Sequence, residues 1–312
     1  MATGMMIEGQ WTTEEYQKDT QGRFLRNPTT FRNWIRSNNS SEFKVEPNRY
    51  HLYVSYACPW AHRTLIMRKL KGLENVISLS IVNPLMINDG WTFEPFEGST
   101  PDTVNGTKYL REVYAKADPQ YTGRVTVPVL WDKQTHTIVN NESREIIRMF
   151  DVEFDQLAEH QINFCPPDLK EQIDQTIDAI YNPINNGVYR AGFAKSQEAY
   201  EEAIKELFEA LNYWDNVLKK QSYLCGDIVT EADWCMFTTL LRFDAVYYVH
   251  FKCNLHHLWD YPNLWNYFKR LYHFPGVKET CNLEQIKQHY YRSHPHINPS
   301  GLVPTGPILN FE

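Results

Sequence analysis

At 312 residues, the chain is long enough for one large domain or two ordinary ones, and 42% hydrophobic with 22% charged positions is the make-up of a globular protein. A formal net charge of −7, with no basic run interleaved with aromatics, argues against a nucleic-acid backbone as partner. No stretch approaches the roughly 18 consecutive apolar residues of a membrane span.

Residues 1–45 read as a polar extended arm lying on the domain that follows, with an aromatic and basic patch, GRFLRNPTTFRNWI. RYHLYVSYA then has the β-branched and aromatic character of a strand. A helix follows over 59–71, with Leu65, Ile66 and Leu70 apolar, and NVISLSIVNP is a second strand ended by Pro84. Strand, helix and strand make a βαβ unit, hence parallel strands with a right-handed crossover. Residues 84–123 are mostly loop around a helix at TKYLREVYAKAD. RVTVPVLWDKQTHTIVNNES gives two short strands joined by a turn, and ESREIIRMFD a closing helix. This order predicts a thioredoxin-like α/β domain over 46–155.

Beyond a proline-bearing linker around 151–167, strand signals stop, and 156–312 reads as all-α. PPDLKEQIDQTIDAIYNPI has prolines at a helix start. Ile204, Leu207, Phe208, Leu211, Trp214, Val217 and Leu218 recur at spacings of three and four, an amphipathic helix. TEADWCMFTTLLRFDAVYYV opens on a capping-box variant, Thr230 with Asp233, and is apolar nearly all round, so it predicts a buried central helix. YPNLWNYFKRLYHF is a further helix. Six cysteines, at 58, 165, 225, 235, 253 and 281, lack the regular spacing of a disulfide scaffold. The opening residues lack the basic start and apolar centre of an export signal, so the expected setting is a reducing cytoplasm. The sequon Asn141-Glu142-Ser143 would matter only in a secreted protein.

Cys58 stands immediately before Pro59, at the junction of the first strand and its helix. There, backbone N–H groups and the helix dipole stabilise a thiolate. It is read as a nucleophile against the alternative of a buried small hydrophobe. Position 61, where a dithiol oxidoreductase carries its second cysteine, is Ala61. A disulfide formed at Cys58 therefore needs an external thiol to resolve it, and glutathione is the abundant cytosolic one. His62 is a candidate base or a packed residue. Val127-Pro128 suits a cis bond opening a strand, which leaves the Val127 backbone to pair with an extended ligand; an ordinary edge-strand proline is the alternative. Glu142 and Ser143 begin a helix, where N–H groups favour a carboxylate and Glu142 can meet an ammonium; on these residues alone a plain helix cap with an acidic first turn is the favoured reading. His250, Cys253, His256 and His257 offer metal-ligand atoms without a familiar zinc spacing, and no metal is expected.

SYACPWAHR, DGWTF, RVTVPVLWD and NNESREI, in this order, resemble the glutathionyl-hydroquinone reductases, the Xi class of glutathione transferases. The resemblance runs nearly end to end, through GRFLRNPTTFRNWI, NGVYRAGFA, RFDAVYYVHFKCN and HYYRSHPHINP. It implies glutathione-transferase architecture, glutathione as co-substrate and a homodimer. It implies Cys58 as nucleophile, with Trp91 packing on glutathione and Arg124 meeting one of its carboxylates. Val127 would pair with the cysteinyl unit, and Glu142 and Ser143 would hold the γ-glutamyl end. Tyr189, Tyr247 and Tyr290 would bind the hydroquinone, with Tyr248 and Tyr291 as one-residue alternatives to the last two.

The implied reaction is reduction of an S-glutathionyl-hydroquinone through a Cys58–glutathione mixed disulfide, releasing glutathione disulfide. Two readings from other classes stand beside it. A conventional transferase would activate glutathione with Tyr53, Ser55 or Tyr56, and a non-catalytic module would bind no glutathione. Thioltransferase or dehydroascorbate reductase activity is a variant of the same thiol chemistry.

Overall fold

The computed structural model describes residues 4–13, 18–38 and 40–311; the arm expected over 1–45 therefore falls partly outside the described residues. Two compact units emerge. The first comprises Met1–Glu15, Asn27–Ile162 and Thr280–His296; the second comprises Tyr16–Arg26, Asn163–Glu279 and Ile297–Glu312.

In the first unit the arm begins as a hairpin of β1 (Met5–Ile7) and β2 (Gln10–Thr12). The main sheet contains β3 (Tyr50–Val54), β4 (Ser78–Ile81), β5 (Val129–Asp132) and β6 (Thr137–Asn140), in the order β4-β3-β5-β6. Strands β3 and β4 run parallel, connected through α1 (Pro59–Leu70), while β3–β5 and β5–β6 are antiparallel. All five residues of β3 are buried, as befits a central strand covered on both faces. Helix α2 (Leu110–Ala117) lies within the long connection after β4, and α3 (Ser143–Arg148) follows β6. The predicted β-α-β, insertion, β-β-α order is thus present.

Helix α1 stops at Gly72, whose φ of 63° suits the left-handed turn. Its N–H donates to the Lys69 carbonyl and that of Leu73 to Arg68, the paired bonds of a Schellman ending. Just before it, the buried Lys71 ammonium donates to Asp155 Oδ1 at 2.8 Å and to the Ile162 carbonyl at 2.7 Å, with Asp151 at 3.4 Å.

The second unit is helical: α4 (Lys170–Ile180), α5 (Gly187–Gly192), α6 (Gln197–Leu218), α7 (Glu231–Arg242), α8 (Tyr248–His250) and α9 (Pro262–Tyr272). Helix α6 buries the expected stripe from Ile204 to Leu218, except that Val217 is half-buried. All twelve residues of α7 are buried. Its start is the expected capping box, in which Asp233 accepts from the Thr230 amide at 2.7 Å while also accepting from Tyr267 Oη at 2.8 Å. A wider π turn over Phe243–Tyr247 carries α7 into α8.

The last helix, α10 (Leu283–Ser293), belongs to the first unit. His62 Nε2 meets Thr280 Oγ1 at 2.8 Å just before it, and Gln285 Nε2 donates to the Glu97 carbonyl at 2.7 Å. His289 Nδ1 donates to the Pro84 carbonyl at 2.7 Å, and Ser293 Oγ accepts from the Met86 amide at 3.0 Å.

Candidate active site

Cys58 is the N-cap of α1, in extended conformation (φ −78°, ψ 121°), with Pro59 at the first helical position. The strand delivers the thiol to the point where the first amides of α1 lack intrahelical partners, the setting that favours a thiolate. The thiol is half-buried and its Sγ lies 3.6 Å from the Val127 carbonyl oxygen. All six cysteines are thiols, and position 61 is a buried alanine. The Val127-Pro128 bond is cis, and Val127 is buried beside Cys58.

His62 lies fully buried, with its Nε2 engaged by Thr280 and Cys281 Sγ 4.0 Å away. This is the packed reading of that histidine. Of the three residues that a conventional transferase would use, Tyr53 and Ser55 are engaged in hydrogen bonds. Tyr53 is fully buried and donates to Asp102 Oδ1 at 2.9 Å, and burial raises its pKa. Ser55 Oγ accepts from the Ala57 amide at 3.2 Å, and burial pushes the Tyr56 hydroxyl up.

At the end of β6, Glu142 caps α3 by accepting from the Arg144 amide at 3.3 Å. Its other oxygen accepts from Thr29 Oγ1 at 3.3 Å. The buried Arg63 of α1 donates to Ser143 Oγ at 3.4 Å and lies 4.6 Å from the Trp60 ring. Thr29 and Arg63 were not legible as site residues. Each meets its partner across more than 75 positions of chain, a signal that no local pattern carries. Arg124 is half-buried and donates to the Gly4 carbonyl at 3.1 Å.

Trp91 is buried and stacks on His289 with ring centroids 5.0 Å apart and an interplanar angle of 17°. Tyr290, also buried, meets the His289 ring edge-on at 5.1 Å. His289, another residue the sequence did not single out, thus sits between two that it did.

In the second unit, Tyr189 and Tyr247 come together edge to face at 6.1 Å, walled by Phe193 and Phe251. Tyr248 points elsewhere, its ring stacked 3.7 Å from His257, which in turn stacks 3.9 Å from Trp259. The pairing with Tyr189 therefore falls to Tyr247. The neighbouring alternative in the first unit, Tyr291, is buried, and its hydroxyl is pushed up to about 12.

The His/Cys cluster is dispersed in its contacts. Burial raises the pKa of the Cys253 thiol, His256 meets Phe208 edge-on, and His257 Nδ1 lies 3.2 Å from Asp244. Among the described residues no group of three or more His, Cys, Asp or Glu side chains is placed to hold a metal ion.

Comparison with known proteins places this geometry. Residues 57–153 match the glutathione S-transferase N-terminal domain and 197–270 the glutathione S-transferase C-terminal domain. The chain is 51% identical to the glutathionyl-hydroquinone reductase YqjG of Escherichia coli (strain K12), over 99% of this chain and 97% of that one. With PcpF of Sphingobium chlorophenolicum, also named a glutathionyl-hydroquinone reductase, identity is 48% over 97% and 96% of the two chains. Among solved structures, the Xi-class transferase from Natrialba magadii superposes with a TM-score of 0.95 at 53% identity, covering 99% of this chain and 95% of that one. The glutathione-bound structure of YqjG gives 0.91 at 49%, covering 99% and 97%. The chain belongs to the glutathionyl-hydroquinone reductase family, the Xi class of glutathione transferases, and has the thioredoxin-like plus helical architecture of that class.

Proposed function

We propose that the protein reduces S-glutathionyl-hydroquinones to hydroquinones at the expense of glutathione, through a mixed disulfide at Cys58. The observation that carries this reading is a thiol at the N-terminus of α1 with an alanine where a resolving cysteine would stand. The Cys58 thiolate attacks the glutathionyl sulfur, and the ring carbon–sulfur bond breaks with its electron pair on the quinol side. A proton taken up there completes the hydroquinone and leaves glutathione disulfide-bonded to Cys58. A second glutathione thiolate attacks the glutathione sulfur of that bond, releasing glutathione disulfide and returning the Cys58 thiolate.

In this reading Trp91, Arg124, Val127, Glu142 and Ser143 bind glutathione. The closeness of Cys58 Sγ to the Val127 carbonyl supports the cysteinyl unit lying along that segment. Glu142, at a helix start and bridged to Thr29, offers a carboxylate for the γ-glutamyl ammonium. Tyr189, Tyr247 and Tyr290 bind the hydroquinone, their rings giving apolar area and their hydroxyls meeting its oxygens. The homodimer rests on the family resemblance. A cytoplasmic setting suits a reaction that consumes reduced glutathione, and no helix among the described residues is long and apolar enough to cross a membrane.

The test is mass spectrometry after incubation with glutathionyl-menadiol. One glutathione added at Cys58 and removed by excess glutathione is expected. The variant Cys58→Ala should lose reduction while still binding glutathione; turnover retained in that variant would sink the mechanism.

A further inference from the structure

We propose that Arg26 is a positioning residue for the quinol step, acting through Tyr189. The proposal deepens the function above and rests on the placement of Tyr189 at the quinol. The arm segment that carries Arg26 is docked on α5 and α6. The Gly22 carbonyl accepts from the Lys195 amide at 3.0 Å, and the Gln21 carbonyl accepts from Ser196 Oγ at 2.9 Å. Arg23 grips Glu202 Oε2 through Nε at 2.9 Å and Nη2 at 2.7 Å. Phe24 is buried with its ring 5.4 Å from Phe193, which lies 6.1 Å from Tyr189. The next turn of chain sets the Arg26 guanidinium 5.0 Å from the Tyr189 ring centroid, and its Nε donates to Asn186 Oδ1 at 2.9 Å. A cation is thereby fixed over the face of one tyrosine by a hydrogen bond to the turn preceding that tyrosine's own helix.

The chemistry gives that cation a use. The carbon–sulfur bond of an aryl thioether breaks readily only from a keto tautomer. A proton adds at the carbon bearing sulfur, and the adjacent hydroxyl gives up its proton to become a carbonyl. When the Cys58 thiolate takes the glutathionyl sulfur, the bonding pair flows into the ring and the carbonyl oxygen becomes a phenolate, which then takes up a proton. Negative charge thus develops on a quinol oxygen, and a hydroxyl donating to that oxygen stabilises the transition state more than the ground state. A guanidinium over the ring withdraws electron density from Tyr189 and makes its O–H the stronger donor as that charge appears.

The test uses the full-length protein with a series of glutathionyl-hydroquinones, from electron-rich menadiol to electron-poor chlorinated rings. Arg26→Gln should lower kcat for the menadiol conjugate about fivefold, the size of a cation–π contact of this kind. It should leave the KM for glutathione unchanged and steepen the dependence of kcat on the pKa of the leaving quinol. Arg26→Lys, which keeps the charge, should restore at least half of the loss. Wild-type kcat in Arg26→Gln would overturn the proposal, as would an equal loss for every quinol that Arg26→Lys does not relieve. Tyr189→Phe is measured in parallel. If Tyr189→Phe is slowed and Arg26→Gln is not, only the role of Arg26 fails. If Tyr189→Phe turns over at the wild-type rate, the placement of Tyr189 fails and takes this inference with it, while the mixed disulfide at Cys58 is judged separately by its mass.

Discussion

Glu142 divides its carboxylate between the Arg144 amide in the first turn of α3 and the hydroxyl of Thr29, so it is held in place before any ligand arrives. If it meets the γ-glutamyl ammonium of glutathione, Glu142→Gln removes the charge from a charge-assisted hydrogen bond. The KM for glutathione should then rise about 10- to 100-fold with a smaller change in kcat, as steady-state kinetics would show. An unchanged KM would place the ammonium elsewhere. Residues of this kind were legible where their signal is local: a cysteine before a helix-starting proline, an acidic residue opening a helix, a proline opening a strand. Arg63 and His289 were not. In sequence Arg63 is one basic residue among several on α1, and its burial beside Trp60 and Ser143 exists only once α3 lies against α1. His289 acquires meaning only from Trp91, nearly two hundred positions earlier.

Among the elements, α1 is fixed at both ends by unlike means. Its start is set by Cys58 as N-cap and by Pro59 at the first helical position. Its end is held by Lys71, which draws the chain between Asp151 and Ile162 onto the helix. Both the Lys71 and Asp151 side chains are fully buried, so Lys71→Met leaves a carboxylate in the interior without that ammonium. Loss of one partner of a buried pair costs about 3–5 kcal/mol, and the urea midpoint should fall accordingly; a shift worth under about 1 kcal/mol would show the pair to be dispensable. In sequence this lysine reads as an ordinary basic residue near a helix end. Helices α6 and α7 were legible because apolar periodicity and a capping box are properties of a single segment. The seating of α10 in the first unit was not, because it depends on hydrogen bonds to Pro84, Met86 and Glu97 that no periodicity encodes.

Across the whole molecule, one buried group in each unit answers acid in opposite directions. In the first, burial depresses His51 from 6.5 to about 4, so its neutral form is favoured by folding. The unfolded chain takes up that proton first, and roughly 3 kcal/mol of stability is lost as pH falls from about 6.5 to 4. Asp102, Asp132 and Glu153 are held below their usual ranges, although burial alone would raise them, because hydrogen bonds outweigh it; they add a loss at still lower pH. In the second unit burial raises Asp233 to about 6, so between about 6 and 3.8 the folded state binds the extra proton and acid favours it. Hydrogen exchange followed between pH 7 and 4 should therefore show protection falling in β3–β6 before it falls in α7; loss in α7 first would contradict the assignment. The strand and helix order that defines the first unit was readable from one end of the chain to about residue 150, since every signal in it is short. Its last helix is encoded beyond the whole of α4 to α9. On the ribosome, that helix emerges after nearly all of the second unit has been made. Until it does, the nascent first unit lacks His289, and the Trp91 face that His289 covers stays open to water and to chaperones.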